Sequence, residues 1–308
     1  MSYVLGKIKR ELILVTIYAL LFEVVHHFSH AVSIDIPIAI PSIVGTIISL
    51  LLAFKSNQAY DRWWEARTVW GAIVNDSRTL IRQIMYFYKD EGDPKKIVSY
   101  KTRFAKRQAA WCYSVGQSLR DKDPLKAIKS LLTPEEMKFV SGHAHVPNAI
   151  LMLHANELKK AADNGNVNVF QQVEIDNTLS RLCDSMGKCE RIKNTIFPTT
   201  YSMYIRFTLC IFIILLPFGL TDALGWLQIP VVITIGAAFF LIEKMAIHLQ
   251  DPFENRPTDT PMISISNNIE KNLMQMVREY IDEHADKDGM EEHKPAFLEH
   301  ADEKYFVL

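Results

Sequence analysis

Apolar residues in this chain gather into four long runs, and the stretches between them are strongly polar. Residues 12–32 form the first run, interrupted by Glu23, His26, His27 and His30. Residues 37–54 (PIAIPSIVGTIISLLLAF) form the second and carry no charge. Residues 205–220 and 227–242 are the third and fourth. About 20 mostly apolar residues carry a helix across the hydrocarbon core of a bilayer. The pattern therefore predicts an all-α membrane protein with four transmembrane helices. The last two runs are slightly short, which local thinning or burial in a bundle accommodates.

The flanks set the orientation. The links at 32–37 and 220–227 contain Asp35 and Asp222 but no Lys or Arg. The opposite ends are basic, with Lys7, Lys9 and Arg10, then Lys55, Arg62 and Arg67, then Arg191, Lys193 and Arg206, then Lys244. The excess of Lys and Arg on cytoplasmic loops places both termini and the whole middle of the chain in the cytoplasm. A cationic start before an apolar run also describes a signal peptide. Here the run is longer than a signal core and no small-residue cleavage site follows, so a retained first helix is expected. The division expected is 1–54 for the first hairpin, 55–204 for a cytoplasmic helical domain, 205–242 for the second hairpin, and 243–308 for a cytoplasmic turn, helix and tail.

The polar middle reads as long helices, each with one apolar face. Trp70, Ile73, Val74, Leu80, Ile81, Ile84 and Phe87 make one stripe. Phe104, Trp111, Val115 and Leu119 make a second, and Phe170, Val173, Leu179, Leu182 and Met186 a third. Thr133-Pro134-Glu135-Glu136 is a helix start, with Thr as cap, Pro at the first position and Glu reaching back. Past the fourth run, DPFENRPTDTP at 251–261 holds three prolines and excludes a continuous helix. Ile265, Ile269, Leu273, Val277 and Ile281, four apart, predict a last amphipathic helix, followed by an acidic tail from His284. These stripes form an intracellular core in the plainest reading, and subunit packing in a sharper one.

Composition adds exclusions. The net charge of −1 lacks the basic footprint of a nucleic-acid binder. Cys112, Cys183, Cys189 and Cys210 form no CxxC pair and no His/Cys cluster, so free thiols and no metal are expected. No nucleophile elbow, zinc-protease helix, Walker loop or dinucleotide glycine pattern occurs, which leaves an enzyme reading without support and calls for no cofactor.

At 54–67 the sequence reads FKSNQAYDRWWEAR, continuing TVWGAIVNDSR to Arg78. CERIKNTIFPTTYSMYIRF (189–207) leads into the third run, LLPFGL (215–220) ends it, and DPFENRPTDTP follows the fourth. These four segments, in this order over nearly the whole chain, resemble the bestrophin family, and its bacterial branch in particular. The resemblance implies a homopentameric channel in the cytoplasmic membrane, with five copies of the second helix around a central pore. It places a hydrophobic neck at Thr46, Leu50 and Phe54. Four-residue steps put these three on one helix face. Thr46 departs from the larger side chain usual at the outermost position, and Ile47 or Ile43 serves instead if the helix is rotated. A narrow apolar ring cannot replace an ion's hydration shell, so such a neck gates by dewetting. The plainer reading leaves Leu50 and Phe54 against lipid or other helices. The resemblance also implies a second, cytoplasmic constriction near Phe170 or Val173. Animal members bind calcium through an acidic run after the Pro-Phe turn. Here Arg256 and Pro257 break the stretch 254–259, so no calcium activation is expected. Animal members conduct anions and the bacterial branch is associated with monovalent cations, which tilts the expectation towards cations.

Other residues carry weighed alternatives. Glu23, about 20 Å along the helix from Arg10, either faces an outer vestibule or is hydrogen-bonded inside the bundle. His26 and His30 have metal-compatible spacing with no carboxylate or Cys placed to complete a site apart from Glu23 one turn away, and read better as an interfacial cluster. His284, His293 and His300 read as solvated. Arg62, Trp63 and Trp64 read as interfacial anchors, and Asp61, Glu65 and Asp76 as candidates to line the inner vestibule. The competing functions are a secondary transporter, thinly suggested by Pro41, Gly45 and Pro217 inside runs, and a non-conducting scaffold. The partners expected are further copies of the chain, the bilayer and permeant monovalent ions.

Overall fold

Every regular element in the computed structural model is a helix, among the described residues 6, 8–28, 36–89, 94–195 and 198–288. In chain order they are α1 (Lys9–Phe28), α2 (Ala39–Phe87), α3 (Pro94–Ser118), α4 (Pro124–Ile128), α5 (Pro134–Ser141), α6 (Val146–Asp163), α7 (Val169–Asn194), α8 (Thr199–Leu224), α9 (Gln228–Gln250) and α10 (Met262–Asp288), with a 3₁₀ turn at Gly225–Leu227. The four expected apolar runs lie in α1, α2, α8 and α9, each long and apolar enough to cross a membrane. The two runs that looked short sit in spans of 23 and 26 residues, because Thr199–Tyr204 and the residues past Ile242 continue the helices. His30, Val32 and Asp35 lie outside the described residues, as do His293 and His300.

The chain divides into two compact units, Met1–Trp64 with Ile196–Pro252, and Glu65–Thr195 with Phe253–Leu308. In the first, Val15, Ala19, Ile48, Leu52, Leu209, Phe212, Ile213, Val232 and Phe240 pack into one core. Close approach depends on small residues. A Cβ on Gly45 would stand 2.9 Å from the Phe212 ring, and one on Gly219 would stand 3.2 Å from the Ile38 backbone. The polarity is inverted relative to a water-soluble bundle. Ile13, Leu14, Ile17, Leu20 and Leu21 are exposed, whereas Glu23, Gln228 and Glu243 are buried. Hydroxyls on the apolar helices return to their own backbone: Thr16 donates to Leu12 O, Thr208 to Tyr204 O and Thr234 to Pro230 O. This satisfies them where lipid offers no partner.

The second unit has a conventional core. Trp70, Ile73, Leu80, Ile84, Trp111, Val115, Leu182, Leu273 and Val277 are buried together, as the stripes lead one to expect. Phe170 and Val173 are the exceptions within their stripe, at 86% and 52% exposure. The expected helix start at Thr133 forms a complete capping box: Glu136 N–H donates to Thr133 Oγ1 at 3.3 Å, and Thr133 N–H donates to Glu136 Oε2 at 2.9 Å. The other oxygen of Glu136 accepts from both Nε and Nη2 of buried Arg107. A cap at a helix end thereby compensates a charge in the core.

Lys101 is also fully buried. Its ammonium donates to Met85 O at 2.5 Å and stands 3.5 Å from the Tyr280 ring centroid, tying α3 to α2 and α10. Burial lowers this ammonium from 10.5 to about 7.

Two outcomes are expected. Glu136→Gln leaves Arg107 buried without its hydrogen-bonded counter-charge and lowers stability by about 3–5 kcal/mol, whereas Arg107→Met/Glu136→Leu recovers most of it in denaturant unfolding. Equal losses from both variants would contradict this role. For Lys101, the unfolded chain holds a proton that the folded chain lacks between pH 7 and 10.5, so stability rises with pH across that window. The thermal midpoint of Lys101→Met then shows a shallower rise with pH than the native protein; parallel curves would refute the assignment.

Candidate functional site

Helix α2 runs unbroken for 49 residues, and its stretch within the first unit has two opposed faces. Pro41, Ile48, Leu52, Lys55 and Ala59, spaced by seven, four, three and four, are buried. The opposite side holds Ser42, Ile43, Thr46, Ile47, Ser49, Leu50, Ala53, Phe54, Asn57, Gln58 and Asp61, all exposed. Thr46, Leu50 and Phe54, the residues expected at a neck, lie on this exposed side, about 6 Å apart along the axis, with Leu50 at 57% and Phe54 at 55% exposure. Ile43 and Ile47, the alternative register, share it.

This face is apolar or neutral from Ser42 to Gln58. Its hydroxyls are committed within the helix. Ser42 donates to Ile38 O at 2.7 Å, Thr46 to Ser42 O at 2.9 Å and Ser49 to Gly45 O at 2.8 Å. The Thr46 proton is therefore engaged, while its exposed oxygen keeps its acceptor lone pairs. A groove of about 330 Å³ flanks the face, lined by Pro41, Gly45, Thr46 and Ser49 of α2, Phe212 of α8 and Phe239 of α9.

The first charged residue after Phe54 is Lys55, and it is turned inward with no exposure. The first charge on the exposed face is Asp61, seven residues or about two turns below Phe54. Arg62 donates from Nε to Gln250 O at 2.6 Å, fastening α2 to the end of α9. Tyr60, Trp63 and Trp64 form a ring cluster beside it, with Tyr60 stacked on Trp64. Such aromatic groups prefer the membrane–water boundary.

The remaining sequence candidates fall elsewhere. Glu23 is 3% exposed and accepts from the Gln228 amide, whose oxygen accepts from Thr221 Oγ1 at 3.0 Å, so it sits in a hydrogen-bonded chain inside the first unit. His26 stacks on Phe22, and His27 lies beside Trp226. In the second unit, Phe170 and Val173 stand exposed in the first turns of α7, which starts at an Asn168–Gln171 capping box. Asp76 pairs with Arg181 at 2.8 Å and Glu65 pairs with Arg191, so neither is a bare carboxylate. His284 bonds to Tyr280 O. In the 251–261 turn Glu254 pairs with Lys193 at 2.9 Å, and Asp259 accepts the Arg256 N–H at 2.9 Å. Among the described residues no group of three or more His, Cys, Asp or Glu is disposed to hold a metal ion.

Sequence reasoning missed the inward turn of Lys55. The signal was available: Lys55 continues the spacing of Ile48, Leu52 and Ala59, a basic residue in a core position.

An all-helical chain with four membrane-length apolar helices, one of which presents a long charge-free exposed face, is an integral membrane protein of the α-helical class. A family model described as bacterial/fungal bestrophin protein matches residues 1–275. The chain belongs to this bestrophin family. It is 30% identical over 276 residues to a voltage-dependent anion channel-forming protein of Nostoc sp., covering 88% of this chain and 87% of that one. It is 27% identical over 273 residues to the voltage-dependent anion channel-forming protein YneE of Escherichia coli K12, covering 89% and 88%. Among solved structures, a bacterial bestrophin homolog from Klebsiella pneumoniae superposes with a TM-score of 0.82 at 28% identity, covering 88% of this chain and 98% of that chain.

Proposed function

We propose that the protein is a homopentameric ion channel of the bacterial cytoplasmic membrane. It crosses the membrane four times with both termini in the cytoplasm, and passes monovalent ions through a neck of Thr46, Leu50 and Phe54. The observation that carries this reading is the exposed face of α2, which combines three stacked neck positions with hydroxyls already bonded within the helix. Five such faces around an axis make an apolar ring that excludes a hydrated ion unless it widens. Phe170 and Val173, exposed at the start of α7, form the cytoplasmic aperture in this reading. The broken acidic run, with Glu254 held by Lys193, gives the channel no calcium trigger.

The permeant ion in this reading is a monovalent cation. Asp61 is the first charge on the exposed face beyond Phe54, and five carboxylates there favour cations. A second reading, conduction of chloride, is favoured by the relatives named as anion channel-forming. A secondary transporter and a silent scaffold have less support, since neither accounts for a neutral face ending in Asp61.

Single-channel recording in planar bilayers under a sodium chloride gradient separates these. Native currents are expected to reverse near the sodium equilibrium potential. Phe54→Ala is expected to raise conductance, and Asp61→Asn to move the reversal towards zero. Reversal at the chloride potential would establish the second reading. No unitary current from either native protein or Phe54→Ala, in correctly assembled multimers, would overturn the channel.

A further inference from the structure

At the ends of three apolar helices that the basic flanks mark as cytoplasmic, two cations share one carboxylate. Arg206 of α8 and Lys244 of α9 each stand 3.3 Å from Oε1 of Glu11 in α1. Both contacts are longer than the roughly 2.7–2.9 Å of a tight charge-assisted bond. Among the described residues neither cation has a second protein acceptor. The Glu11 side chain is nearly buried, whereas that of Arg206 is 50% exposed and that of Lys244 26%. One positive charge is therefore left over, on the outside of the first unit. A guanidinium carries five N–H donors in a fixed fork and an ammonium three, so most of these donors have no acceptor in the protein.

The surface towards the membrane from these charges is apolar. Leu14, three residues past Glu11, and Cys210, four past Arg206, are exposed. Those spacings put them on the same helix faces as the charges. One turn beyond Cys210, Ile214 is exposed as well, and Tyr18 donates to Ile214 O at 2.7 Å, joining α1 to α8 along the same line. We infer that Arg206 and Lys244 bind the phosphate headgroup of an anionic phospholipid, whose acyl chain lies along the seam between α1 and α8. The inference needs these helices to span a membrane, as in the reading above, but not that the protein conducts. Cations at the inner membrane boundary attract anionic headgroups, and a guanidinium can hold two phosphate oxygens at once. A free phosphate would use the charges alone; the exposed apolar seam is what selects a lipid. Glu11 is then a competitor as well as an anchor, since its carboxylate and the phosphate contend for the same donors.

The test is native mass spectrometry of the full chain, delipidated in detergent and titrated with phosphatidylglycerol, phosphatidylcholine or glycerol 3-phosphate. The native protein is expected to retain phosphatidylglycerol over phosphatidylcholine, and excess glycerol 3-phosphate is expected not to displace it. Arg206→Gln and Lys244→Gln are each expected to weaken phosphatidylglycerol retention about fivefold and to leave phosphatidylcholine unchanged. Glu11→Gln is expected to tighten retention by a similar factor, because it releases both cations. A cluster that only holds three helices together predicts no such gain. Equal retention of the two lipids by native protein, or unmoved retention in both cation variants, overturns the inference. Displacement by glycerol 3-phosphate overturns the lipid and leaves a site for free phosphate. If neither cation variant assembles, Glu11→Gln decides: tighter retention supports the inference, and unchanged or weaker retention contradicts it. Release of the protein from membranes by alkaline carbonate would instead remove the spanning reading on which the site rests.

Discussion

Rotation of one helix about its own axis is the quantity on which the functional reading depends. Helix α2 has no break between Ala39 and Phe87, so whatever fixes its phase at one level of the first unit fixes which residues are exposed at the others. Three features set that phase. The Phe212 ring occupies the space where a side chain at position 45 would be. Lys55 is buried in line with Ile48, Leu52 and Ala59, and Arg62 is bonded to the end of α9. One is a close approach, one is burial and one is a hydrogen bond, and they lie at successive levels of the helix. With them in place, Thr46, Leu50 and Phe54 are on the outside of the unit together.

The same contacts sort polar from apolar in a setting where water is scarce. Serine and threonine hydroxyls on the apolar helices return to backbone carbonyls, Glu23 is held by Gln228, and Glu11 gathers Arg206 and Lys244. Each arrangement removes a donor or a charge that hydrocarbon would penalise. A consequence for ion passage is that the exposed face of α2 keeps neither a free hydroxyl proton nor a cation beside Phe54. What remains on it is apolar surface with hydroxyl oxygens, then the amides of Asn57 and Gln58 and, two turns on, Asp61.

Much of this was legible in the sequence because it depends on periodicity and capping. Four apolar runs, the stripes at Trp70–Ile84 and Ile269–Ile281, and the Thr133 cap all announce themselves by spacing, and the four separated bestrophin-like segments agree with the topology the runs imply. The merging of the second run with the first cytoplasmic stripe into one helix was less obvious, since the polar stretch 55–62 reads as a boundary. It carries no proline or glycine, and nothing in it stops a helix. Phe170 and Val173 match a helical stripe but leave the core, because two apolar residues at the start of a helix satisfy the pattern without reaching a partner within their own unit. Pairings across sequence were out of reach. Glu136 was visible as a capping residue, but its second partner Arg107 lies on another helix. Glu243 is one carboxylate at the end of an apolar run, and only the fold shows that it is buried.

The claim most open to direct test is that the exposed face of α2 closes on itself around an axis, which one chain cannot do. Native mass spectrometry of the protein in detergent measures this. The account expects a complex five times the mass of the 35.3 kDa chain, stable without added ligand. A monomer or dimer as the dominant species would contradict it and leave the face of α2 to lipid.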